Sequence, residues 1–349
     1  MRSPATINDV AVAAGVSRQT VSNVLNSPGI VREETRARVQ TVIVELGYRP
    51  HASARRLRTR HASTIAVRID RAPEWMSGTL LGRFLYALTE RADKQGLRVM
   101  LYTAEDTDDE VRVISRLFDG SDVDAFVLTS TFLGDPRPQW LLDHGSAFVT
   151  FGRPWGIPDD DTRYLWVDVD GRSGTQDATD YLLGTGAERV GFLGWPDGSG
   201  TGDDRRDGWR QAMLARGGIG FEDLSALDLS SEEDLREGQE ATRALVARGA
   251  DAIVATSDTL ALAAMMATDE RVPVVGFDND PVAASLGFSS VDQCLDLVTE
   301  DVLRLLERGS SGDGPAHYIV KPQLMVRTGW TRETGLRLRN RGAAAVRPT

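Results

Sequence analysis

The sequence predicts an α/β protein in which a small all-α segment precedes a much larger body of alternating strands and helices. Charge is the first observation: residues 1–61 carry a net charge of +6 and the remainder −17, within a total of −11. The second is the helical spacing of apolar residues, interrupted by glycine, near the N-terminus. The third is the alternation of short apolar runs with amphipathic stretches from Ser63 onward, which is typical of doubly wound parallel sheets.

Composition limits the classes of protein that the chain can belong to. Its 349 residues suggest several domains, and 41% hydrophobic residues are enough for ordinary cores. The one cysteine, Cys294, cannot form an internal disulfide. Neither a membrane span of about 20 apolar residues nor a signal-peptide core is found, so we expect a cytoplasmic protein without membrane contact.

The N-terminal segment has the pattern of a helix–turn–helix. Apolar residues repeat at helical spacing from Ile7 to Ala14, and Gly15 follows where a tight turn needs a residue that tolerates positive φ. Ser17 is a suitable N-cap for a second helix. We expect a third helix from about Glu33 to Leu46, with Leu46 facing inward.

The second helix carries residue types that read DNA. Arg18, Gln19 and Asn23 would project from its exposed N-terminal face, which enters the major groove in this motif. Arginine pairs with guanine and Gln or Asn with adenine, whereas Thr20 and Ser22 are better placed for phosphates. The alternative is the polar face of an unrelated three-helix bundle, but turn, cap and base-reading residues coincide here. We therefore expect double-stranded DNA as a partner.

The stretch from Thr6 to Asn26 resembles the start of LacI/GalR-family transcriptional regulators. The resemblance continues through Leu46–Pro50 and Ala54–Leu57. One departure is Arg32, where the family usually has a Ser that caps the third helix. The resemblance covers essentially the whole chain, and the long N-terminal pattern is its most specific part.

The resemblance implies a second DNA contact after the helix–turn–helix. It places a DNA-binding domain at residues 1–50 and a hinge helix with linker at residues 51–61. In the family this helix forms only when two subunits sit on operator DNA. Leu57 would wedge into a base step of the minor groove, and Arg55 would supply phosphate or groove charge. A flexible basic linker is the alternative, and it describes the unbound chain.

Residues 62–349 are expected to form a sensor and dimerisation domain. Two series of apolar runs suggest two Rossmann-like lobes, with a ligand cleft at the carboxyl ends of their strands. The predicted strands are 63–69, 97–103, 124–130 and 147–151, then 167–169, 189–195, 252–256 and 274–277. The predicted helices are 79–94, 109–118, 171–183, 204–216, 235–248 and 259–267.

The family resemblance implies the same architecture, a periplasmic-binding-protein-like sensor. It places chain crossovers near Leu165, near Val291 and near Lys321 to Leu324. The first lobe is therefore expected to span about residues 62–165 and 292–322, and the second about residues 166–291 and 323–340.

No sequence pattern predicts catalysis, a cofactor or a metal site. The chain has four His and one Cys, and it lacks P-loop, G-x-S-x-G and H-E-x-x-H elements. The acidic run Pro158–Asp161 is typical of an exposed loop, and Gly198–Gly202 lacks the Lys of a phosphate loop. We therefore expect a binding protein and not an enzyme.

Candidate effector-binding residues come from the family resemblance. Arg205 occupies an R-x-x-G-[YFW] element, whose arginine clamps effector hydroxyls or carboxylates. Asp278 matches a position that accepts hydrogen bonds from sugar hydroxyls. Ser257 and Gln293 match two further pocket positions.

Three acidic residues near these positions are expected to have structural roles. Asp258 is predicted to cap the helix that follows Ser257. Asp168 and Asp170 are predicted to cap and orient the junction between the lobes, without direct contact to a ligand.

Tryptophans favour a carbohydrate as the effector. All seven lie in the sensor, and four of them lie between residues 153 and 209. Core packing is the simpler interpretation for any single one, but aromatic faces stack on sugars, and Trp195 is the candidate contact. Three segments resemble an actinobacterial subgroup of cellobiose-type repressors: Phe151–Trp155, Trp166–Gly171 and Gly194–Arg205.

The sequence is therefore interpreted as a homodimeric repressor that binds a pseudo-palindromic operator and is released by a small, cellobiose-like sugar. One alternative is a corepressor-dependent regulator of the same family, for example a purine-responsive one. A more distant alternative is a Rossmann-like enzyme with an accessory DNA-binding module. A sugar-transport binding protein is disfavoured because it would have a signal peptide and no helix–turn–helix. The tail from Arg337 to Thr349 lacks the leucine heptads of a tetramerising coiled coil.

Overall fold

The chain divides into two compact units, Met1–His61 and Ala62–Thr349, in a computed structural model. The structure describes residues 7–26, 28–46, 64–69, 80–120, 122–218, 220–269, 271–309, 314–330 and 337–339. Arg55 and Leu57, the residues predicted to contact the minor groove, lie outside the described residues.

The N-terminal unit is a three-helix bundle around a small apolar core. Helix α1 (Ile7–Ala14) is followed by α2 (Arg18–Asn26), a 3-10 turn (Pro28–Ile30) and α3 (Glu33–Leu46). Leu46, the last residue of α3, is 41% exposed, so the expectation that it faces inward is wrong. Among the described side chains, the core includes Val10, Ala11, Ala14, Val21, Val24 and Val39.

The first lobe of the larger unit contains a six-stranded parallel sheet. Its strands are β1 (Thr64–Arg68), β2 (Arg98–Tyr102), β3 (Ala125–Leu128), β4 (Ala147–Phe151), β5 (Trp166–Val169) and β11 (His317–Val320). Their spatial order is β11-β5-β4-β3-β1-β2. The helices of this lobe are α4 (Leu80–Lys94), α5 (Thr107–Asp119), α6 (Pro136–Asp143) and α13 (Leu295–Arg308).

The second lobe repeats this arrangement with one antiparallel edge strand. Its strands are β6 (Val190–Gly194), β7 (Asp228–Ser230), β8 (Ala252–Ala255), β9 (Val274–Phe277), β10 (Ser289–Asp292) and β12 (Gln323–Met325). Their order is β12-β10-β9-β8-β6-β7, and β12 runs antiparallel to β10. Its helices are α7 (Gly171–Gly184), α8 (Gly200–Arg216), α9 (Phe221–Ala226), α10 (Leu235–Ala247), α11 (Asp258–Thr268) and α12 (Pro281–Leu286).

The first crossover lies later in the chain than the sequence predicts. Strand β5 pairs with β4 and β11, so it belongs to the first sheet and not to the second lobe. The chain therefore crosses after Val169, crosses back between β10 and α13, and crosses a third time between β11 and β12. Periodicity marks Trp166–Val169 as a strand, but it does not identify the neighbours with which that strand pairs.

Each sheet is covered by buried side chains that join it to its helices. In the second lobe a large cluster includes Phe192, Trp209 and Phe277, whereas the first lobe has separate clusters around Phe84 and Phe126. A short hairpin of β13 (Thr328–Trp330) and β14 (Arg337–Arg339) follows β12. Within the described residues, no helix has the length and apolarity to cross a membrane, and no cluster of metal-ligating side chains is found.

Candidate functional site

The helix pair of the N-terminal unit has the geometry of a helix–turn–helix. Gly15 has a φ of +63° and lies in the turn between α1 and α2, a conformation that favours glycine. Ser17 Oγ then accepts a hydrogen bond from the Thr20 backbone N–H at 3.1 Å, which satisfies a free donor at the start of α2. This pair therefore fixes where α2 begins.

The candidate base-reading residues lie on the first turns of α2. Arg18 and Gln19 are exposed, whereas Asn23 is half-buried. Gln19 Nε2 donates to Asn23 Oδ1 at 3.0 Å, so the two amides form a pair on one helix face. The Thr20 hydroxyl lies 2.9 Å from Ser17 Oγ, and Ser22 is half-buried on the same helix. An exposed guanidinium beside a paired amide is suited to the edges of bases in a major groove.

A cavity of about 340 Å³ lies between the two lobes of the larger unit. It opens at the carboxyl ends of the strands, where doubly wound sheets bind their ligands. The first lobe contributes Leu80, Leu81, Thr129, Ser130, Thr131, Phe151, Gly152, Asp168 and Val169. The second lobe contributes Trp195, Ser199, Thr201, Arg205, Asp278 and Gln293.

Arg205, Asp278 and Gln293, three of the candidate effector-binding residues, lie together on the second-lobe wall of this cavity. Gln293 Nε2 donates to Asp278 Oδ1 at 2.5 Å, and Arg205 Nη1 lies 3.8 Å from the same oxygen. Burial raises the pKa of Asp278, while Arg205 and Gln293 oppose that shift. The three side chains combine a cation, an acceptor and an amide, which can together orient a ligand hydroxyl.

Arg205 is buried, and part of its hydrogen-bonding capacity is unused. Its Nη1 donates to the Thr256 carbonyl oxygen at 2.5 Å, but its Nε has no hydrogen-bond partner. The guanidinium carbon lies 3.7 Å from the ring centre of Phe277 and 5.3 Å from that of Trp195. Burial lowers the pKa of Arg205. The Arg205 guanidinium therefore packs against two aromatic rings, and one of them, Trp195, also lines the cavity.

Trp195 lines the cavity, whereas Ser257 does not. Glu233 joins them, because its carboxylate accepts from Trp195 Nε1 at 2.5 Å and from Ser257 Oγ at 2.7 Å. Ser257 Oγ also accepts from the Leu260 N–H at 3.2 Å as the N-cap of α11. The structure therefore assigns Ser257 a capping role in place of the direct ligand contact that the family pattern suggests.

Asp258 is the first residue of α11 and not its cap. The helix begins one residue earlier than predicted, so the carboxylate of Asp258 points to other donors. It accepts from Ser290 Oγ and from the Asp280 N–H, each at 2.6 Å. Burial raises its pKa to about 8, and the neighbouring Asp278 adds to the shift.

Asp168 lies in the cavity wall, contrary to the expectation of a purely structural role. Its Oδ2 accepts a hydrogen bond from Arg153 Nε at 2.8 Å. Burial raises the pKa of Asp168, although the pairing with Arg153 acts in the opposite direction. Asp170 has the predicted role: it is the N-cap of α7 and accepts from the Ser173 N–H at 3.0 Å. Because β5 belongs to the first sheet, Asp168 stands near a strand end that faces the cleft.

A loop of three hydroxyl side chains, Thr129 to Thr131, was not predicted from the sequence. The buried Arg137 holds its backbone, donating to the carbonyl oxygens of Thr129 at 3.1 Å and Ser130 at 3.2 Å. Gly152 lies against it with a φ of +107°, and a Cβ at Gly152 would come 2.6 Å from Thr131 Oγ1. The position of the loop after β3 is the signal that could have indicated it.

The tryptophans between residues 153 and 209 have different roles. Trp209 and Trp166 belong to the core: Trp209 Nε1 donates to the Val190 carbonyl at 2.9 Å, and Trp166 stacks on His317. Trp195 lines the cavity. Trp155 packs on Gly200 across the cleft. Packing in the hydrophobic core therefore accounts for two of these four tryptophans, Trp166 and Trp209.

A helix–turn–helix unit joined to a two-lobed unit with a cavity between its lobes defines a ligand-responsive, DNA-binding regulator of transcription. Residues 6–51 match the family described as "Bacterial regulatory proteins, lacI family". Residues 81–284 match "Periplasmic binding proteins and sugar binding domain of LacI family". The chain belongs to the LacI family of bacterial transcription regulators.

Individual relatives agree with this assignment. The chain is 35% identical over 341 residues to the HTH-type transcriptional regulator CelR of Thermobifida fusca, covering 92% of this chain and 97% of CelR. A solved complex of CelR with cellobiose superposes with a TM-score of 0.67 and 29% identity, over 92% of this chain and 98% of that one. The Lac repressor dimer bound to operator shares the fold, with a TM-score of 0.74 at 22% identity over 93% of this chain and 98% of that one.

Proposed function

We propose that the chain is a cytoplasmic, homodimeric repressor whose operator binding is released by a small neutral sugar of the cellobiose type. Two copies would place two α2 helices on a pseudo-palindromic operator. Arg18, Gln19 and Asn23 would read bases, and Thr20 and Ser22 would contact phosphates. Arg55 and Leu57 would add the minor-groove contact.

The observation that carries the sugar assignment is the balance of charge in the cavity. Its ionisable lining residues are Arg205, Asp168 and Asp278. Asp278 is paired with Arg205, and Asp168 with Arg153, so no cation is left over for a phosphate or carboxylate among these lining residues. A neutral ligand fits this wall better than an anionic one, because an anion would be buried beside two carboxylates.

The remaining lining groups suit a polyhydroxylated ligand. Five hydroxyl side chains and one amide can exchange hydrogen bonds with sugar hydroxyls: Thr129, Ser130, Thr131, Ser199, Thr201 and Gln293. Phe151 and Trp195 offer apolar faces for the C–H faces of a sugar ring. The volume of about 340 Å³ is at the lower end for small-molecule sites. The known complex of the relative CelR with cellobiose supports the disaccharide class.

The test is a thermal-shift screen of the full chain with cellobiose, glucose and hypoxanthine, followed by operator gel shifts. A ligand at about 100 times its Kd should stabilise the sensor by about 2.7 kcal/mol. We expect cellobiose to raise the melting temperature and to weaken operator binding. If hypoxanthine tightened operator binding and no sugar weakened it, both the ligand class and the sign of the response would be wrong.

The DNA side of the proposal has its own test. Leu57→Ala should weaken binding to the specific operator far more than binding to random DNA, because a wedge acts only where the duplex is kinked. Equal losses on both DNAs would contradict the wedge. Sedimentation of the full chain with and without operator measures whether the dimer is the binding species.

A further inference from the structure

Arg83 joins the first lobe to the turn that carries Asp278 in the second. It lies on α4, whose buried face packs in the first lobe. Arg83 Nη1 donates to the carbonyl oxygen of Asp278 at 2.6 Å and to that of Asn279 at 2.9 Å. It also lies 3.4 Å from Asp280 Oδ1. One guanidinium therefore holds three consecutive residues across the cleft.

The turn that Arg83 holds has an unusual backbone. Asp278 has a φ of +104° and Asn279 a φ of +54°, which side-chain-bearing residues rarely adopt. Such a backbone conformation is maintained only where several contacts from surrounding residues hold it in place. Within the second lobe, Ser290 Oγ accepts from the Asn279 N–H at 2.9 Å. Arg83 supplies the support from the opposite lobe.

Arg83 also lies near the end of β10, where the chain leads into Gln293. Its Nη2 lies 3.8 Å from Asp292 Oδ2, and the next residue, Gln293, is the one that donates to Asp278. On its own helix, Leu80 and Leu81 line the cavity. The first turn of α4 thus contributes to the first-lobe wall and contacts the two second-lobe segments that carry Asp278 and Gln293.

We propose that Arg83 is a positioning residue of the effector site. It acts through the Asp278–Gln293 pair without contacting the ligand, so the orientation of that pair depends on the contact between the lobes. A shift of α4 relative to the second lobe then changes the affinity for the effector. Because coupling is reciprocal, effector binding changes the equilibrium position of α4 by the same coupling free energy. This inference rests on the proposed function, since it assumes that the cavity holds the effector.

Arg91 provides a matched control on the same helix. Its side chain is 32% exposed, compared with 29% for Arg83, and it faces two acidic residues, Asp296 at 3.7 Å and Glu300 at 3.6 Å. Both partners lie on α13 of the same lobe. Arg91→Met therefore removes a comparable ion-paired arginine without touching the contact between the lobes.

The first experiment needs no ligand. Amide hydrogen exchange of the full-length wild type, Arg83→Met and Arg91→Met is followed in peptides that cover residues 277–293. We expect exchange in this segment to be about tenfold faster in Arg83→Met, because charge-assisted hydrogen bonds that oppose local opening are lost. Arg91→Met should leave this segment at the wild-type rate. Wild-type exchange in Arg83→Met would overturn the proposal.

The second experiment titrates the same proteins and Arg83→Lys with cellobiose by calorimetry. We expect about tenfold weaker binding for Arg83→Met, unchanged binding for Arg91→Met and partial recovery for Arg83→Lys. Lysine keeps the charge, but its one nitrogen cannot contact both the carbonyls of the 278–279 turn and Asp292, as Nη1 and Nη2 of Arg83 do. If the wild type binds cellobiose and Arg83→Met binds it equally well, the positioning role is wrong. If the wild type binds no sugar, the proposed function fails, while the exchange rates still test the contact made by Arg83.

Discussion

The indole ring of Trp155, in the first lobe, packs directly on Gly200, the first residue of α8 in the second lobe. A Cβ added to Gly200 would lie 2.2 Å from Trp155 Cδ2. Atoms cannot approach so closely, so the absence of a side chain at Gly200 is what allows the lobes to meet at this edge of the cleft. Ser199 and Thr201, on either side of it, both line the cavity.

Gly200→Ala should therefore weaken effector binding. The new methyl group would displace the Trp155 ring and hold the lobes apart, and we expect effector affinity to fall about tenfold or more. Gly184→Ala is the control, because a Cβ at Gly184 would have no atom within 4 Å and the φ of this residue is not positive. Titration of both variants with the effector measures the difference. Equal affinities would show that the Trp155 contact is not needed for binding.

Arg205→Met should abolish the effector response while leaving operator binding intact in the absence of effector. Asp278 would then be buried without its cation, which costs about 3 kcal/mol of stability. Adding Asp278→Asn should restore much of the melting temperature but not the response. A loss of operator binding by either variant without effector would count against a role confined to the sensor.

The stability of the sensor should fall as the pH rises from about 6 to about 9. The pKa of Asp258 is raised to about 8 by burial and by Asp278, so the folded state holds a proton that the unfolded state has already released. The contribution of Asp258 to the free energy of unfolding is fully present below its unfolded-state pKa of about 4. It is lost as the pH rises through the folded-state pKa of about 8.

The matched variant for this pH effect is Asp258→Asn. It should be less stable at low pH, since an amide offers only one acceptor oxygen for the two donors that Asp258 serves, Ser290 Oγ and the Asp280 N–H. Its melting temperature should vary less between pH 6 and pH 9. Asp280, with a pKa of about 6, contributes mainly below this window. Thermal melts of both proteins across the range provide the measurement. Parallel pH curves would contradict the assignment.

Gln19→Ala should weaken specific DNA binding by about 1–3 kcal/mol and relax the preference at one base pair. It should also free Asn23, whose side-chain oxygen accepts from Gln19. Gln40→Ala, at an exposed position of α3, is the control. Binding to operators mutated one base pair at a time separates lost base reading from a uniform loss. An equal loss of affinity for every operator would mean that Gln19 contacts the DNA backbone and not a base.

Much of the fold was predictable because strands and helices differ in the period of their apolar residues. The spacing placed α3 at Glu33–Leu46 and β4 at Ala147–Phe151, and both are found with these bounds. The period of apolar residues does not determine which strands pair with one another, so the sequence predicts the wrong lobe for β5. The start of α11 was wrong by one residue, since Ser257 and Asp258 are both good caps and only the backbone angles distinguish them.

The family pattern identified positions that lie in the interlobe cavity, but not the contacts between them. Arg205, Asp278 and Gln293 all line the cavity and lie within contact distance of one another. Thr129 to Thr131 are uncharged and belong to no recognisable motif. Their backbone is held by Arg137, which donates to the carbonyl oxygens of Thr129 and Ser130. Contacts between lobes, such as those of Arg83 and Trp155, require knowledge of how distant segments pack.

The three crossings of the chain have a consequence for exchange between relatives. Neither lobe is one continuous segment, because the first lobe regains α13 and β11 after the chain has built most of the second. A single cut at any one crossing would leave the lobes tethered by the other two. Transferring an effector specificity from one regulator to another therefore requires the exchange of several matched segments. Recombination at a single point would combine parts of one lobe from two different proteins, and their packing surfaces would not be complementary.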